Sequence, residues 1–196
     1  MKIEPKVLEN RFVRLEPMAQ VHKEDLRAAC AADPDLFHDL YPYSMLGEAF
    51  DKRFDEQMPK DRATGAWMHY AVVVGARCVG MTCFIGADSV NASVEVGGTY
   101  YHPDVRGGAT NPAAKRLMMG EAFEAGARRV VYRVDAINAR SRAAVLKMGA
   151  VQEGIFRKDR VAWTGRIRDT VVFSILDDEW PAVRDRLDAR LAAFGS

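Results

Sequence analysis

The sequence contains few of the residues that build disulfide frameworks and metal sites. Its three cysteines and four histidines are scattered over 196 residues without metal-ligand spacing, and an odd cysteine count fits a disulfide framework poorly. No apolar run approaches the length of a transmembrane helix. The opening residues, MKIEPKVLEN, also lack the apolar run of a signal peptide. We therefore expect a cytoplasmic protein that holds no metal ion.

The chain also lacks an excess of charge and the common nucleotide-binding signatures. Its 28 Lys and Arg against 27 Asp and Glu leave a formal net charge of +1, which provides no general attraction to nucleic acid or to an anionic membrane. Its glycine-rich stretch is neither a P-loop, which needs Lys-Ser or Lys-Thr, nor a dinucleotide fingerprint. Without repeats, low-complexity segments or a linker, the sequence predicts one domain over residues 1–196.

Hydrophobic periodicity predicts a mixed α/β fold. Alternating residues predict strands, and apolar residues three or four positions apart predict helices. The first predicted elements are a strand at about 11–17, a helix at 21–33, an aromatic loop at 37–44 and a helix that carries Phe50, Phe54 and Met58 on one face. Strands at 68–74, 78–86 and 92–103 follow, then a helix at 111–126, a strand at 128–136, a helix at 138–149 and strands at 151–163 and 168–176. A terminal helix from Pro181 places Trp180, Val183, Leu187, Leu191 and Phe194 on one stripe. Antiparallel strands followed by a β-α-β unit predict one mixed sheet with helices on its faces.

The stretch HPDVRGGATNPAAK, residues 102–115, places small residues directly before a predicted helix. Asn111 is a suitable N-cap and Pro112 suits the first helical turn. The first N–H groups of a helix have no partner within it, and the helix end carries about half a positive charge. Small neighbours would let an anion reach these amides, with Arg106 as an added donor. The alternative is an ordinary strand-to-helix turn.

Two neighbouring features favour a ligand site over a simple turn. Gly97 and Gly98 interrupt the preceding strand, which indicates a bulge or a close backbone approach. The next β-α unit starts its helix with Asn138 and Ser141 one turn apart. Two helix starts and one broken strand are therefore expected to meet at a groove. Such a groove suits a ligand with a pyrophosphate at one end and a thin amide arm.

Three segments resemble the RimJ/RimL-like branch of the GNAT acetyltransferase superfamily. They are VEVGGTYYHPDVRGGATNPAAKRLMMGEAFE, RVVYRVDAINARSRAAVLKMGAVQEGIFRKD and RDTVVFSIL. The resemblance implies a mostly antiparallel central sheet with helices on both faces and a C-terminal helix. It also implies acetyl-CoA as the donor of an acetyl group. Because relatives of this type often pair, it further implies a possible homodimer.

The resemblance assigns roles to particular residues. The loop residues assigned to the pyrophosphate are Arg106, Gly107, Gly108, Ala109, Thr110 and Asn111. The amides of the arm would pair with the broken strand at Gly98, Thr99 and Tyr100, and Asn138 would contact the arm near the thioester. There are two departures from the family pattern. Ala109 replaces the first glycine of the motif, where alanine tolerates a positive φ poorly. Val145 stands where many members carry a tyrosine acid.

Acetyl transfer to an amine needs a base for the amine proton and an acid for the departing thiolate. Glu95, on the broken strand, is the first candidate base, with Glu153 as the second. Each could instead be an ordinary surface charge. Ser141 is the candidate acid, although it could simply cap the local helix start. Tyr41 or Tyr43 could reach into an acceptor pocket, or both could belong to an aromatic core edge.

These residues predict an N-acetyltransferase that acts through a direct ternary complex on an amine of a peptide terminus or small molecule. The alternative is a non-catalytic module of the same fold that binds acyl-CoA. The substitutions at Ala109 and Val145 favour this alternative. The acceptor side is built from loops, so the sequence names no acceptor.

Overall fold

One eight-stranded sheet runs through the computed structural model, which describes residues 1–195. The strands are β1 (Leu8–Glu9), β2 (Arg14–Pro17), β3 (Trp67–Val74), β4 (Arg77–Asp88), β5 (Ser93–Tyr101), β6 (Arg129–Asp135), β7 (Val151–Val161) and β8 (Ile167–Leu176). Their order across the sheet is β1-β2-β3-β4-β5-β6-β8-β7. All neighbours are antiparallel except β5 and β6, which are parallel. The predicted mixed, mostly antiparallel sheet is confirmed.

Seven α-helices accompany the sheet in the described residues. They are α1 (Lys23–Ala31), α2 (Pro34–Asp39), α3 (Gly47–Lys52), α4 (Met58–Thr64), α5 (Thr110–Glu124), α6 (Ala139–Met148) and α7 (Trp180–Ala192). A π-helical turn, Arg53–Gln57, joins α3 to α4. No helix of residues 1–195 is long and apolar enough to cross a membrane.

Two hydrophobic cores place these helices on opposite faces of the sheet. The larger core contains residues of α5, α6 and α7, such as Met118, Met148 and Leu187, packed with sheet residues. The second core contains residues of the N-terminal helices together with Met81 and Tyr100 from the middle of the sheet. The predicted helical face of Phe50, Phe54 and Met58 is confirmed, because all three are buried in this second core.

Three predicted boundaries differ from the structure. The first long strand begins at Arg14 because the Asn10 side chain accepts hydrogen bonds from the N–H groups of Phe12 and Val13, which forms a turn. The predicted aromatic loop begins later, since residues 37–39 belong to α2. The terminal helix starts at Trp180, and Phe194 lies beyond its end with 43% of its surface exposed.

The parallel pair β5 and β6 separates after a short contact. Only Ser93–Glu95 pairs with Arg129–Val131, although β5 continues to Tyr101 and β6 to Asp135. The second half of β5 therefore leaves its backbone groups on the β6 side without strand partners. This opening in the middle of the sheet positions the site described below.

The end of β6 is fixed by a buried carboxylate. The side chain of Asp135 is 2% exposed and lies 2.5 Å from Arg166 Nη2 and 3.7 Å from Arg168 Nε. Arg166 also donates to the carbonyl of Asp39 at the end of α2. Asp135 therefore ties the turn between β7 and β8 to the sheet, and Arg166 ties the same turn to the N-terminal helices.

We predict that Asp135→Ala destabilises the fold by about 3–5 kcal/mol, because it leaves two arginines near the sheet without their carboxylate. Chemical denaturation measures this change. Asp185→Ala is the matched control: its side chain is 69% exposed and, within residues 1–195, pairs only with adjacent Arg184, so the expected loss is below about 1 kcal/mol. Equal effects of the two substitutions would contradict the stated role of Asp135.

Candidate functional site

A bulge in β5 stands at the edge of the opening between β5 and β6. Cys83 pairs with Gly97 and Met81 pairs with Tyr100, so Gly98 and Thr99 together face the single residue between them on β4. Gly98 has a φ of +57°, and a Cβ there would lie 2.9 Å from the Trp67 ring. Glycine is thus required both by the backbone and by the close approach of Trp67. The bulge predicted at this pair of glycines is confirmed.

The loop before α5 presents main-chain N–H groups at a helix start. Within residues 1–195, the N–H groups of Gly107, Gly108 and Ala109 have no hydrogen-bond acceptor. The predicted N-cap, Asn111, is wrong: Ala109 is the N-cap and no side chain caps the helix. Since the helix already begins at Thr110, its first N–H groups also stay without side-chain partners. The result is a cluster of donors suited to an anion.

Ala109 does not disturb this loop. Its φ is −72°, an ordinary value, and the left-handed position is taken by Gly107 at φ +80°. The concern raised by the sequence, that alanine would replace a glycine of positive φ, is therefore wrong. The glycine that the backbone requires comes two residues earlier.

Arg106 is engaged within the protein. Its Nε donates to the carbonyl of Tyr101 at 2.8 Å, and its Nη1 pairs with the carboxylate of Asp33. Its Nη2 is buried without a hydrogen-bond partner. The side chain thus braces the loop against the segment between α1 and α2, which differs from the freely presented donor that the sequence suggested. Its predicted contact with a pyrophosphate stays a prediction.

Thr99 and Tyr100, the two other predicted residues of the broken strand, already form hydrogen bonds within the protein. The Tyr41 hydroxyl donates to the carbonyl of Thr99. The Tyr100 hydroxyl donates to the carbonyl of Ala29 at 2.5 Å, and the ring is buried, so only the main chain of Tyr100 could serve a ligand. Tyr43 also reaches the strand, since its Oη would lie 3.6 Å from a Cβ on Gly98. Both tyrosines of the aromatic loop thus come to the bulge.

The start of α6 is organised by Asn138. Its side-chain oxygen accepts from the N–H of Ser141 at 2.9 Å, so Asn138 is the cap and Ser141 supplies the capped amide. The Ser141 hydroxyl makes no hydrogen bond within residues 1–195 and is half-buried. Val145 is buried in the larger core and offers no hydroxyl to the site. Ser141 is thus left with a hydroxyl able to donate.

The two candidate bases differ in how they are engaged. Glu95 Oε2 pairs with Arg133 at 2.5 Å, whereas its Oε1 lies 2.8 Å from the position of a Cβ on Gly97. Glu153 has both oxygens occupied, by Arg129 and by the Ser174 hydroxyl. The Arg129 guanidinium lowers the pKa of Glu153. The geometry therefore favours Glu95, whose carboxylate folds over the broken strand.

Lys115 lies beneath the bulge, and the sequence analysis did not identify it. Its ammonium donates to the Thr99 hydroxyl at 2.7 Å and lies 3.5 Å from the Thr82 hydroxyl. Burial lowers the pKa of Lys115 to about 8. Within residues 1–195 no carboxylate pairs with the ammonium to offset this effect. One signal was present in the sequence. Lys115 shares a helical face with Met118 and Met119, where an apolar residue is usual.

Comparison with known proteins decides the family. The model of the acetyltransferase (GNAT) domain matches residues 13–151. The chain belongs to the GNAT acetyltransferase family. A GCN5-related N-acetyltransferase from Brucella melitensis is 31% identical with a TM-score of 0.87, over 96% of this chain and 86% of that one. A structure from T. thermophilus is also 31% identical, with a TM-score of 0.85 over 97% and 100% of the two chains.

The fold of this GNAT domain is also that of RimJ. Mycobacterium smegmatis RimJ, in complex with CoA-disulfide, is 18% identical with a TM-score of 0.82, over 95% of each chain. No curated protein matches the chain. The RimJ/RimL-like resemblance seen in three sequence segments thus extends to nearly the whole fold.

We predict that Lys115 of this GNAT domain gives the unfolding free energy a distinct pH dependence. Its pKa of about 8 in the folded state lies below the ordinary 10.5, so the unfolded chain binds more protons between these values. The contribution of Lys115 to stability therefore rises from about pH 8 to pH 10.5, by up to about 1.4 kcal/mol per pH unit. Below pH 7, where the amine is charged in both states, it is constant.

Chemical denaturation of wild type and Lys115→Met from pH 6 to pH 10 isolates this effect, because other titrating groups are common to both proteins. The difference between the two unfolding free energies should be flat below pH 7 and should grow in favour of wild type above pH 8. Parallel curves over the whole range would show that Lys115 titrates normally.

Proposed function

We propose that this protein transfers an acetyl group from acetyl-CoA to an amine of a peptide terminus or small molecule, in a direct ternary complex. One observation carries the proposal: β5 leaves β6 after Glu95, directly beside a helix start with unsatisfied N–H groups. A strand edge without partners suits the amides of a thin arm. The adjoining N–H groups suit a pyrophosphate at the end of that arm. We expect the protein to act in the cytoplasm, where two copies could form a homodimer.

The ligands of related structures support acetyl-CoA as the co-substrate. RimJ is described in complex with CoA-disulfide, and the microcin C7 self-immunity acetyltransferase MccE in complex with acetyl-CoA and AMP. In this chain, the N–H groups of residues 107–111 would hold the pyrophosphate, and the free edge of β5 would hold the arm. Asn138 at the start of α6 would lie near the thioester. No group of residues in 1–195 has the composition of a metal site.

Two side chains supply the proton transfers in the proposed reaction. An α-amine has a pKa near ~8 and a lysine near ~10.4, so most of either amine is protonated at neutral pH and must lose a proton before it attacks. Glu95 accepts the amine proton through its Oε1, directly or through water. Ser141 donates a hydrogen bond to the departing sulfur from the start of α6. The amine nitrogen forms its bond to the acetyl carbon and gives its proton to Glu95 as the bond from that carbon to sulfur breaks. CoA leaves as a thiolate, which takes a proton from the Ser141 hydroxyl, and solvent then returns a proton to Ser141.

Release of free thiol from acetyl-CoA, measured with a panel of amines, tests the function. We expect amine-dependent release in the wild type. Gly108→Val should raise the Michaelis constant for acetyl-CoA, because the new side chain would occupy space needed by a phosphate. It should still fold, since nothing lies within 4 Å of a Cβ at this position.

Gly154→Val, on exposed strand β7, is the control with equal open space. It should leave the Michaelis constant unchanged. If Gly108→Val has normal affinity for acetyl-CoA, the placement of the pyrophosphate is wrong. Binding of acetyl-CoA without thiol release for any amine would support the non-catalytic binding module instead.

We predict separate effects for the two proton-transfer residues. Loss of a general acid or base costs about 10²–10⁴ in rate. Glu95→Gln should lower turnover most at the acid end of the pH profile, where the amine is mostly protonated. Ser141→Ala should lower turnover with little effect on the affinity for acetyl-CoA. Steady-state kinetics from pH 6 to pH 9 measure both. A wild-type rate in either variant removes that residue from the mechanism.

A further inference from the structure

Arg53 presents an unpaired guanidinium on the face of the sheet that carries Glu95. It opens the π-helical turn Arg53–Gln57, a widened turn that occurs often at functional sites. Its Nε is buried without a hydrogen-bond partner, and no carboxylate in residues 1–195 lies within 4 Å of it. Arg53 as a whole is half-buried, so its other N–H groups can still reach a partner while the buried Nε–H group stays unsatisfied.

Two aromatic rings hold this guanidinium beside the bulge. Its central carbon lies 3.5 Å from the centre of the Tyr43 ring and 5.5 Å from that of Trp67. The same two side chains cover Gly98: a Cβ built on this glycine would lie 3.6 Å from Tyr43 Oη and 2.9 Å from the Trp67 ring. Stacking fixes the plane of the guanidinium and leaves its hydrogen-bonding edge for another partner.

The ionisable groups near Arg53 form no ion pair with it within residues 1–195. Burial lowers the pKa of His69, which stacks on Trp67, to about 4, so His69 is neutral at neutral pH. Burial raises the pKa of the Cys83 thiol, which is therefore also neutral. The Asp61 carboxylate accepts from Gln57 at 2.7 Å through Oδ1, and its buried Oδ2 faces His69 at 3.8 Å without a hydrogen bond. Asp61 therefore carries a negative charge in this cluster, but it forms no ion pair with Arg53 within residues 1–195, so the guanidinium can still pair with an external anion.

The Glu95 side chain and the two rings around Arg53 lie over neighbouring glycines of β5. Glu95 Oε1 lies over Gly97, and the rings that stack with Arg53 lie over Gly98. Trp67, Cys83 and Glu95 also project from the same face, since Trp67 and Glu95 both pair with Ile85 and Cys83 is two residues from it. An acceptor whose amine meets Glu95 would thus place a nearby substituent at Arg53.

We propose that the acceptor amine carries an anionic oxygen group, a carboxylate or a phosphate, that binds Arg53 between Tyr43 and Trp67. A planar guanidinium binds both groups through two parallel N–H donors. The bound anion would pair with the two Nη groups of Arg53 and hold the amine at Glu95. This inference rests on the proposed function. It narrows the acceptors to amines that also carry an anionic group, such as amino acids, peptides with an acidic residue at the amino terminus, or phosphorylated amines.

Binding is tested without turnover by nuclear magnetic resonance of the ¹⁵N-labelled full chain with saturating CoA. Benzoate and phenyl phosphate are the anionic probes, and benzamide is the neutral one. We expect saturable shifts of the Trp67 indole and Gly98 amide signals with the anions only, and the tighter anion shows which oxygen group the site prefers. Arg53→Met should weaken anion binding at least about ten-fold. Lys60→Met, which removes an exposed positive charge from α4, should not.

Activity is tested with matched amines: phenylalanine against phenylalaninamide, and phosphoethanolamine against ethanolamine. Wild type should prefer the anionic member of a pair, through a lower Michaelis constant. Arg53→Met should lose that preference, because kcat/KM for the anionic amine should fall to that for its neutral partner. Arg53→Lys, which keeps the charge and is the safer variant for folding, should retain part of it.

The outcomes separate the two proposals. Amine-dependent acetylation with no anion preference and no anion-induced shifts would overturn the role of Arg53 and leave the transferase function intact. Anion binding that depends on Arg53, without acetylation of any amine, would support the anion site and count against the transferase function. Equal anion binding by wild type and Arg53→Met would overturn the anion site.

Discussion

The divergence of β5 from β6 is the constraint on which the site depends. A fully paired sheet would use every main-chain group of β5, whereas here the pairing stops at Glu95. The bulge at Gly98 and Thr99 lets the strand turn away while it stays paired with β4 on its other side. Because buried main-chain groups need partners, the open edge of β5 requires water or a ligand arm to complete it.

Contacts from both faces of the sheet hold this open strand in place. From the larger core, Lys115 donates to the Thr99 hydroxyl, and from the second core, Tyr41 donates to the Thr99 carbonyl. Both partners belong to one residue of the bulge. A strand that lacks a neighbour on one side is thus held by side chains above and below it. The opening therefore keeps its shape without a bound ligand, which lowers the ordering cost of binding.

Features encoded within a few residues were predictable from the sequence, and contacts between distant residues were not. The bulge and the glycine-containing loop before α5 follow from glycines and small residues at local spacings. The pairing of Arg106 with Asp33 and the bond from Tyr41 to Thr99 join residues 73 and 58 positions apart. Lys115 and Arg53 were missed because their roles come from burial without a carboxylate, which only the packed structure shows. The predicted N-cap was wrong because asparagine has a high N-cap propensity, which favoured Asn111, whereas the helix already begins one residue before it.

The turn between β7 and β8 has a consequence for the order in which the site is assembled. Trp163 donates through its indole to the carbonyl of Phe37 and through its main chain to that of Pro42, which joins residues about 120 positions apart. The aromatic loop with Tyr41 and Tyr43 is therefore held by a hairpin that leaves the ribosome long after it. Contacts of such sequence separation form late, since they require closure of a large loop. During synthesis, the N-terminal helices can collapse early, but the aromatic loop beside the bulge takes its final shape only when the last hairpin has paired.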